Sequence, residues 1–432
     1  MRNVAGKLLM ENGSPISVED MAPGMVIAED IFDCNGRFLL GKGVKITPNH
    51  LRVLKIWGVT EARIEGVTER DVHRATASRL NPALLQSAAQ KMKIRFRHAN
   101  VEHEAMRELF RLCAFRAAHQ MTNGESPAGV SDEEFSSPSD GKRLELKQKP
   151  WPTACARELV HKDIKLPALP TIFFQLNDAL NDPRSSAKDI ATIIKNDTSL
   201  SAKLLKLANS PIYRYASKVE TVSRAVTLIG TKEIGVLALG ITVMTCFRGV
   251  SQDLIDMASF WKHSVACGIA ARMMASFKRI SNIERLFTAG LLHDIGRMVI
   301  YKYLPDEAEE ALVQARFEDV PLYRTELQTF GLNHATMGGL FLKEWRFPVS
   351  IENSVRYHHS PMKSMDPLEP AIISVADIVV NALGLGSGGE ICVLPLDPDA
   401  WKLLGFPKSI FSTLIKQVDR QVEETTRIFS DD

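Results

Sequence analysis

His293 and Asp294 stand side by side in Leu291-Leu292-His293-Asp294-Ile295-Gly296-Arg297, between an apolar run and a glycine. Two such groups are costly to bury unless something pairs with them. Arg285, Leu286, Ala289, Leu292 and Ile295 recur at a spacing of about 3.6 residues, which predicts a helix running through the pair. Neighbours on a helix differ by roughly 100°, so both side chains reach one point only if it lies between them. A metal ion is the simplest such point, and a hydrogen-bonded core pair is the alternative.

Five further residues of the same chemistry follow the same kind of pattern. His263 lies amid Trp261, Val265 and Ile269, His334 follows Leu332-Asn333, His358 and His359 follow Arg356-Tyr357, and Asp377 sits in an almost wholly apolar run. Of the eleven histidines, all five between residues 263 and 359 belong to this set. Imidazole and carboxylate donors together suit Mn, Fe, Zn or Ni. Seven candidates (His263, His293, Asp294, His334, His358, His359 and Asp377) exceed the needs of one tetrahedral ion. They suit two ions sharing a carboxylate. The alternative is seven separate structural residues.

The segments that must position these residues read as helices from Trp151 onward. Ile172, Phe173, Leu176 and Leu180 follow Pro167 and Pro170, a serine at 185 or 186 caps a helix with Ile190, Ile193 and Ile194 inside, and Leu200, Leu204, Leu205 and Leu207 form the next. Asn209 reads as a side chain satisfying backbone groups at that helix's end. Leu383-Gly384-Leu385-Gly386-Ser387-Gly388-Gly389 invites a phosphate-loop reading, but such a loop needs a strand before it and this one follows a helix, so it reads as a flexible loop. Residues 151–432 are therefore expected to form one all-α domain.

The remainder divides by composition. Residues 1–68 read as a small β-rich module, with strands over Met25–Phe32, Arg37–Leu40, Val44–Ile46 and Glu61–Ile64, a turn at Asp33–Gly36, and a helix capped by Thr47-Pro48 that stops at Gly58. Residues 69–120 form a basic helical connector: from 70 to 120 there are ten Lys or Arg, Arg70, Arg74, Lys91, Lys93, Arg95, Arg97, Arg107, Arg111 and Arg116 among them, against four Asp or Glu. No helix-turn-helix or base-stacking pattern accompanies them, so a solvated face is favoured over nucleic-acid contact. Residues 121–150, with few apolar residues and many breakers, read as a flexible linker.

Bulk properties narrow the class without naming a partner. The chain has 432 residues, 45% hydrophobic and 24% charged, with a net charge of +2, as in ordinary globular proteins. Cys34, Cys113, Cys155, Cys246, Cys267 and Cys392 form no Cys-x-x-Cys pair, which fits reduced thiols and predicts a cytoplasmic protein. The longest apolar run, Ile234–Phe247, is too short to span a bilayer, and Met1–Ser14 lacks a signal-peptide core, so no membrane association is expected.

The order His, His-Asp, His, His-His, Asp resembles the HD superfamily of metal-dependent phosphohydrolases. Upstream, Leu166-Pro167-Ala168-Leu169-Pro170, the stretch from Asp197 to Pro211, and Ala225-Val226-Thr227-Leu228-Ile229-Gly230 are similar to HDOD, a bacterial signalling relative. The resemblance covers about residues 155–400, and the N-terminal segment resembles one found ahead of HD-GYP domains, which hydrolyse cyclic-di-GMP. It implies an all-helical HD/HDOD domain behind a β-rich module. It also implies two divalent ions (Fe, Mn, Zn, Ni or Mg), with Asp294 as the bridging and water-activating residue. His263, His293 and Asp377 would lie on one side, and His334, His358 and His359 on the other. Arg297, one turn past the pair, is the candidate substrate-binding residue, able to hold a phosphate bidentately; a surface cation at a helix end is its alternative.

Two departures bear on activity. HD-GYP proteins follow their His pair with Glu and a downstream Gly-Tyr-Pro, whereas here His359 precedes Ser360-Pro361-Met362-Lys363 and no such triplet occurs. Some relatives carry Glu one turn before the first His, where this chain has Ser259. Both argue against cyclic-di-GMP hydrolysis, while HDOD domains often lack part of the ligand set that is complete here. Three functions follow as expectations: a signalling module that binds a regulatory protein partner, a metal-dependent phosphohydrolase acting on a nucleotide or phosphoester, and a nucleic-acid-contacting regulator.

Overall fold

The computed structural model describes residues 15–32, 37–57, 59–68, 71, 80–125, 169–213, 215, 217–247, 250–252 and 254–430. The expected turn at Asp33–Gly36, Gly58, Arg70, Arg74, most of 121–150 and Leu166–Ala168 lie outside them. The protein is mainly α with a small β-rich module, and divides into two compact units: 1–94, 100–127 and 405–416, then 95–99, 128–404 and 417–432.

In the first unit, β1 (Pro15–Ser17) pairs antiparallel with β4 (Glu61–Arg63), and β2 (Ile31–Phe32) with β3 (Phe38–Leu40). The strand expected over Met25–Phe32 is regular only at its end. Val26 and Ile27 make single bridges to Lys45 and Ile64, and Asp30 turns its carboxylate to the Lys42 N–H (2.8 Å) instead of extending a ladder. Thr47 caps α1 (Pro48–Ile56) by accepting from the His50 N–H at 3.2 Å, with Pro48 at the first helical position. Ile16, Val18, Ile27, Ile46, Leu54 and Ile64 form the module's core.

Two helices of the basic stretch, α2 (Pro82–Arg95) and α3 (Glu104–Thr122), have most of their length in this unit. Residues 405–416, which composition grouped with the all-α domain, belong to it too: Ser409 donates to Glu61 at 2.7 Å, and Lys416 joins Lys55 on Glu19 at 3.2 and 2.9 Å. Several basic side chains are already engaged. Arg111 holds Glu108, Arg97 pairs with Asp319, and Arg95 donates to the Asn381 carbonyl at 2.7 Å.

The second unit is helical. α4 (Thr171–Asn181), α5 (Ala187–Lys195), α6 (Thr198–Ala208), α7 (Val222–Ile229) and α8 (Thr231–Thr245) come first. Ser186 and Asp189 form a reciprocal cap on α5, and Asp197 caps α6. Asn209 ends α6 as its sequence context predicts, donating to Leu205 and Val219 carbonyls and accepting from the Val219 N–H. The apolar run is the interior of α8, buried from Ile234 through Met244. No single helix among the described residues is long and apolar enough to cross a membrane; α7 and α8 pass together only as a pair bent by 117°.

The elements around the candidate ligands are α9 (Met257–Phe277), α10 (Ile283–Leu292), α11 (Ile295–Tyr303), α12 (Pro305–Glu318), α13 (Leu322–Phe330), α14 (His334–Glu344), α15 (Val349–Arg356) and α16 (Leu368–Leu383). α17 (Pro398–Leu404) and α18 (Ile410–Ser430) close the chain. α9 and α10 pack backbone to backbone where Gly268 meets Gly290: a Cβ on Gly290 would stand 2.7 Å from the Gly268 Cα. That contact brings His263 and His293 into reach of each other.

The helix predicted to run through His293-Asp294 breaks there. α10 ends with His293 as its C-cap, and α11 begins after Asp294, whose backbone (φ −95°, ψ 11°) has left the helical region. The break turns both side chains toward the same interior point, which an unbroken helix would have splayed apart.

Candidate metal centre

Five segments deliver the seven candidates to one place. α9 brings His263, the α10–α11 junction His293 and Asp294, the first residue of α14 His334, the turn after α15 His358 and His359, and α16 Asp377. All are buried except His359, which is partly exposed. They form two groups joined by one carboxylate. On one side, His263 Nε2 lies 3.1 Å from Asp377 Oδ1 and 3.3 Å from His293 Nε2, and His293 Nε2 lies 3.5 Å from Asp294 Oδ2. On the other, His334 Nε2 lies 3.1 Å from Asp294 Oδ1, 3.3 Å from His358 Nε2 and 2.9 Å from His359 Nε2. Asp294 thus turns one oxygen to each group.

The hydrogen bonds behind these rings decide which nitrogen faces inward. His293 Nδ1 is 2.8 Å from the Gly290 carbonyl and His358 Nδ1 2.7 Å from the Val355 carbonyl, contacts that only an Nδ1–H can make. His334 Nδ1 meets Glu326 Oε2 at 2.5 Å, and the same oxygen accepts the His334 backbone N–H at 2.9 Å. These partners leave Nε2 as the inward-facing atom of all three rings, the arrangement metal-bound histidines use. Asn381, one turn past Asp377, donates to its Oδ1 at 2.7 Å. His263 Nδ1 is buried with no hydrogen-bond partner among the described residues.

The donor set fits a cation. A proton on His334 Nε2 could serve only one of its three neighbours (Asp294, His358 or His359), leaving lone pairs facing one another. Donors 2.9 to 3.3 Å apart have the spacing of ligands about 2.1 Å from a shared ion. Charge points the same way: Asp294, Asp377 and Glu326 are buried with the guanidinium of Arg297 as the neighbouring fixed cation. Three histidines with one another, and His263, His293 and Asp294 with one another, form groups able to hold a metal ion.

Electrostatics register the crowding. Burial alone would raise Asp294 and Asp377, but Arg297, His293 and His334 hold the first, and His263 and His293 the second, well below the usual carboxylate range. Burial opposes charge on His293 and His334, yet Cys267, Asp294 and Asp377 lift the former well above the ordinary imidazole value. Glu326 and Asp294 lift the latter. Burial, reinforced by His293 and His334, pushes His358 down to about 3, and burial beside His358 and His334 depresses His359.

Arg297 is not the surface cation at a helix end. It is 3% exposed, and its guanidinium donates through Nη1 to Asp294 Oδ2 at 3.0 Å and through Nε to Glu326 Oε1 at 3.1 Å, so two of its three nitrogens are already held by carboxylates. The glycine-rich loop after α16 is also placed differently from the flexible loop expected. It packs over the Asp294 end of the site: the Ser387 N–H donates to the Ser259 carbonyl at 3.3 Å, and Tyr301 donates to the Gly388 carbonyl at 2.6 Å. Glycine is required by proximity, since a Cβ on Gly388 would stand 2.3 Å from Asp294 Oδ2 and one on Gly386 2.1 Å from the Ser259 carbonyl. Gly388→Ala is therefore expected to lower stability by about 1–3 kcal/mol through overpacking. Metal content should fall with it, read by thermal unfolding and elemental analysis; a variant matching wild type in both would show that the loop has room to yield.

Glu326, Asn381, Tyr301 and Gly388 carry no sequence signal that marks them as part of this site. Glu326 sits in Leu322-Tyr323-Arg324-Thr325-Glu326-Leu327, which reads as any amphipathic helix. Tyr323, in the same helix, stacks on His359 with ring centroids 4.6 Å apart and 19° between planes, at the one partly exposed edge of the ligand set.

Comparison with known proteins assigns this architecture. Residues 166–361 match the family model of the HDOD domain, which stops short of Asp377 and the glycine loop. An uncharacterized protein of Treponema pallidum is 22% identical over 225 residues, taking in 52% of this chain and 43% of that one, so the chain spans less than half of that curated relative. A provisionally named phosphohydrolase of Shewanella amazonensis shares the fold at a TM-score of 0.53 and 22% identity, over 64% of this chain and 98% of its own. A provisionally named signal transduction protein of Marinobacter aquaeolei does so at 0.52 and 17%, over 64% and 66%. At these identities the likeness speaks to fold alone. With the motifs in order, the helices around them and the matched family model in agreement, residues 166–361 of this chain form an HDOD domain.

Proposed function

We propose that this chain is a signal-transduction protein whose HDOD domain holds two divalent ions bridged by Asp294 and presents a surface to a regulatory protein partner. The observation that carries this reading is closure. His293, His334 and His358 have no exposed surface, the glycine loop covers the Asp294 end, and Arg297 is committed to carboxylates. A centre enclosed in this way ties five segments together and leaves little room for a phosphoester. Ions in it would add binding free energy to the fold.

A phosphohydrolase is the second reading, favoured by the complete set of seven donors and by the partly exposed edge at His359 and Tyr323. Two bound ions would supply a water whose pKa falls from about 15.7 towards neutrality, together with neutralisation of the phosphoryl oxygens. For that chemistry His359 and Tyr323 mark the only side of the described ligand set from which a substrate could approach. Nucleic-acid contact by the basic stretch is the weakest reading, because Arg95, Arg97 and Arg111 already have partners within the protein.

Elemental analysis of the full chain purified without chelator should find about two equivalents of Fe, Mn, Zn, Ni or Mg. Less than half an equivalent after reloading with Mn or Fe would sink the metal reading. A nucleotide panel including cyclic-di-GMP should give turnover below about 1 s⁻¹. If the loaded chain turns over a phosphoester faster than this and pull-down recovers no regulatory partner, the signalling reading fails and the hydrolase takes its place.

A further inference from the structure

Four buried side chains close a ring around one half of the candidate centre. Glu326 Oε1 accepts from Arg297 Nε at 3.1 Å, and Arg297 Nη1 donates to Asp294 Oδ2 at 3.0 Å. Asp294 Oδ1 faces His334 Nε2 at 3.1 Å, and His334 returns to Glu326 Oε2 through Nδ1 at 2.5 Å and its backbone N–H at 2.9 Å. Glu326 is 2% exposed and lies outside the seven donors, so its carboxylate is there for the ring rather than for solvent.

Its own helix is fixed independently of any metal. Thr325, fully buried, donates to the Ala311 carbonyl of α12 at 3.2 Å, and the Leu322 N–H at the start of α13 is taken by Glu390 at 3.0 Å. Glu326 therefore reaches the ring from a rigid support, as a group that orients a ligand must.

We propose that Glu326 is the positioning residue of the centre: it fixes His334 with Nδ1–H turned outward and Nε2 free for metal, and through Arg297 it sets the orientation of the Asp294 carboxylate. The chemistry singles out a carboxylate. Oε2 must accept two N–H groups of His334 while Oε1 accepts the Nε–H of Arg297, so both atoms must be acceptors. Glutamine has the same shape but one donor end. If its oxygen faces His334, its NH₂ meets the Arg297 Nε–H. If its oxygen faces Arg297, its NH₂ meets the His334 backbone N–H and donates to Nδ1, moving the ring proton to Nε2 and blocking the metal-facing atom. Either orientation breaks the ring at one point.

This inference rests on the two-ion reading for its metal readout but not for its spectroscopic one. The experiment compares wild type, Glu326→Gln and Thr325→Val, the last removing the neighbouring hydroxyl bonds without touching the ring. Zinc is titrated into each full-length protein after chelation, and the imidazole protons are followed by NMR with ¹⁵N-labelled histidine. Glu326→Gln is expected to bind the ion held by His334, His358 and His359 about 10–100-fold more weakly, leaving the other ion in place. Its His334 Nδ1–H resonance should move upfield, out of the range of a strong bond to carboxylate. Thr325→Val should lose thermal stability while keeping both ions and the resonance. The proposal is overturned if Glu326→Gln keeps both affinities and the resonance, or if Thr325→Val loses as much metal as Glu326→Gln. If wild type binds no zinc, the two-ion reading fails by itself, and the resonance still decides whether Glu326 sets the tautomer.

Discussion

Asp294→Ala is expected to leave both ligand groups without metal and to cost the metal-free protein about 3–5 kcal/mol of stability, the penalty for removing one partner of a buried charge pair. Both effects follow from the same two oxygens. Oδ1 faces His334 and Oδ2 faces His293, so losing the carboxylate removes a donor from both groups at once, whereas Asp377, 3.6 Å from His293 Nε2, serves only one of them. Oδ2 also takes the Arg297 guanidinium, which would be left with Glu326 as its carboxylate partner in a buried site. Asp294→Asn separates the effects: the amide keeps the volume, so packing is retained, but one of its ends is a donor that must face either Arg297 or an imidazole nitrogen. Metal should be lost in both variants, with the alanine form the less stable by urea unfolding. An alanine variant that retained both ions would show that Asp294 does not bridge them.

The cluster of His and Asp side chains was legible because its chemistry is costly outside a site. Imidazoles and carboxylates such as His263 and Asp377 interrupt otherwise apolar stretches, and nothing but mutual pairing or a metal explains them there. The all-α core and the capped helices were readable for a similar reason, since Ser186 and Thr47 carry local signals that act within three residues. What could not be read depended on contacts distant in sequence. Glu326 meets His334 eight residues on and Arg297 twenty-nine back, and no local pattern marks either bond. Arg297 looked available because its carboxylate partners are invisible to helical spacing. The glycine loop reads as flexible in sequence because glycine's two uses, freedom and closeness, are alike there; only its contacts with Asp294 and Ser259 tell them apart. The break at His293-Asp294 is invisible to periodicity, which continues across it while the backbone does not.

Removing the metal is expected to change how stability depends on pH, with a sign that differs on the two sides of about pH 6.5, the ordinary imidazole value. His358 has a folded pKa near 3, and His359 is depressed as well. Below pH 6.5 the unfolded chain takes up these protons and the folded one does not, so stability falls as acid is added, by about 1.4 kcal/mol per pH unit for each ring. Asp294 and Asp377, held well below the usual carboxylate range, add to the loss only once the pH drops below about 3.8. His293 and His334 act in the opposite sense. Their raised folded pKa values give stability that is fully present below pH 6.5 and is lost as pH rises through them. The metal-free chain should therefore be most stable near pH 6.5 and weaker on either side. Bound metal reverses the alkaline limb: it takes the place of the protons on His293 and His334, binds better as pH rises, and adds about 4 kcal/mol when free metal exceeds its dissociation constant a thousandfold. Urea unfolding of chelator-treated and metal-loaded full-length protein between pH 5 and 8.5 checks this. The two curves should lie close together at pH 5 and diverge steadily towards pH 8.5. Curves that stay parallel across the range would mean that no proton on these histidines is exchanged for metal, and that the two ligand groups are a hydrogen-bonded core rather than a metal centre.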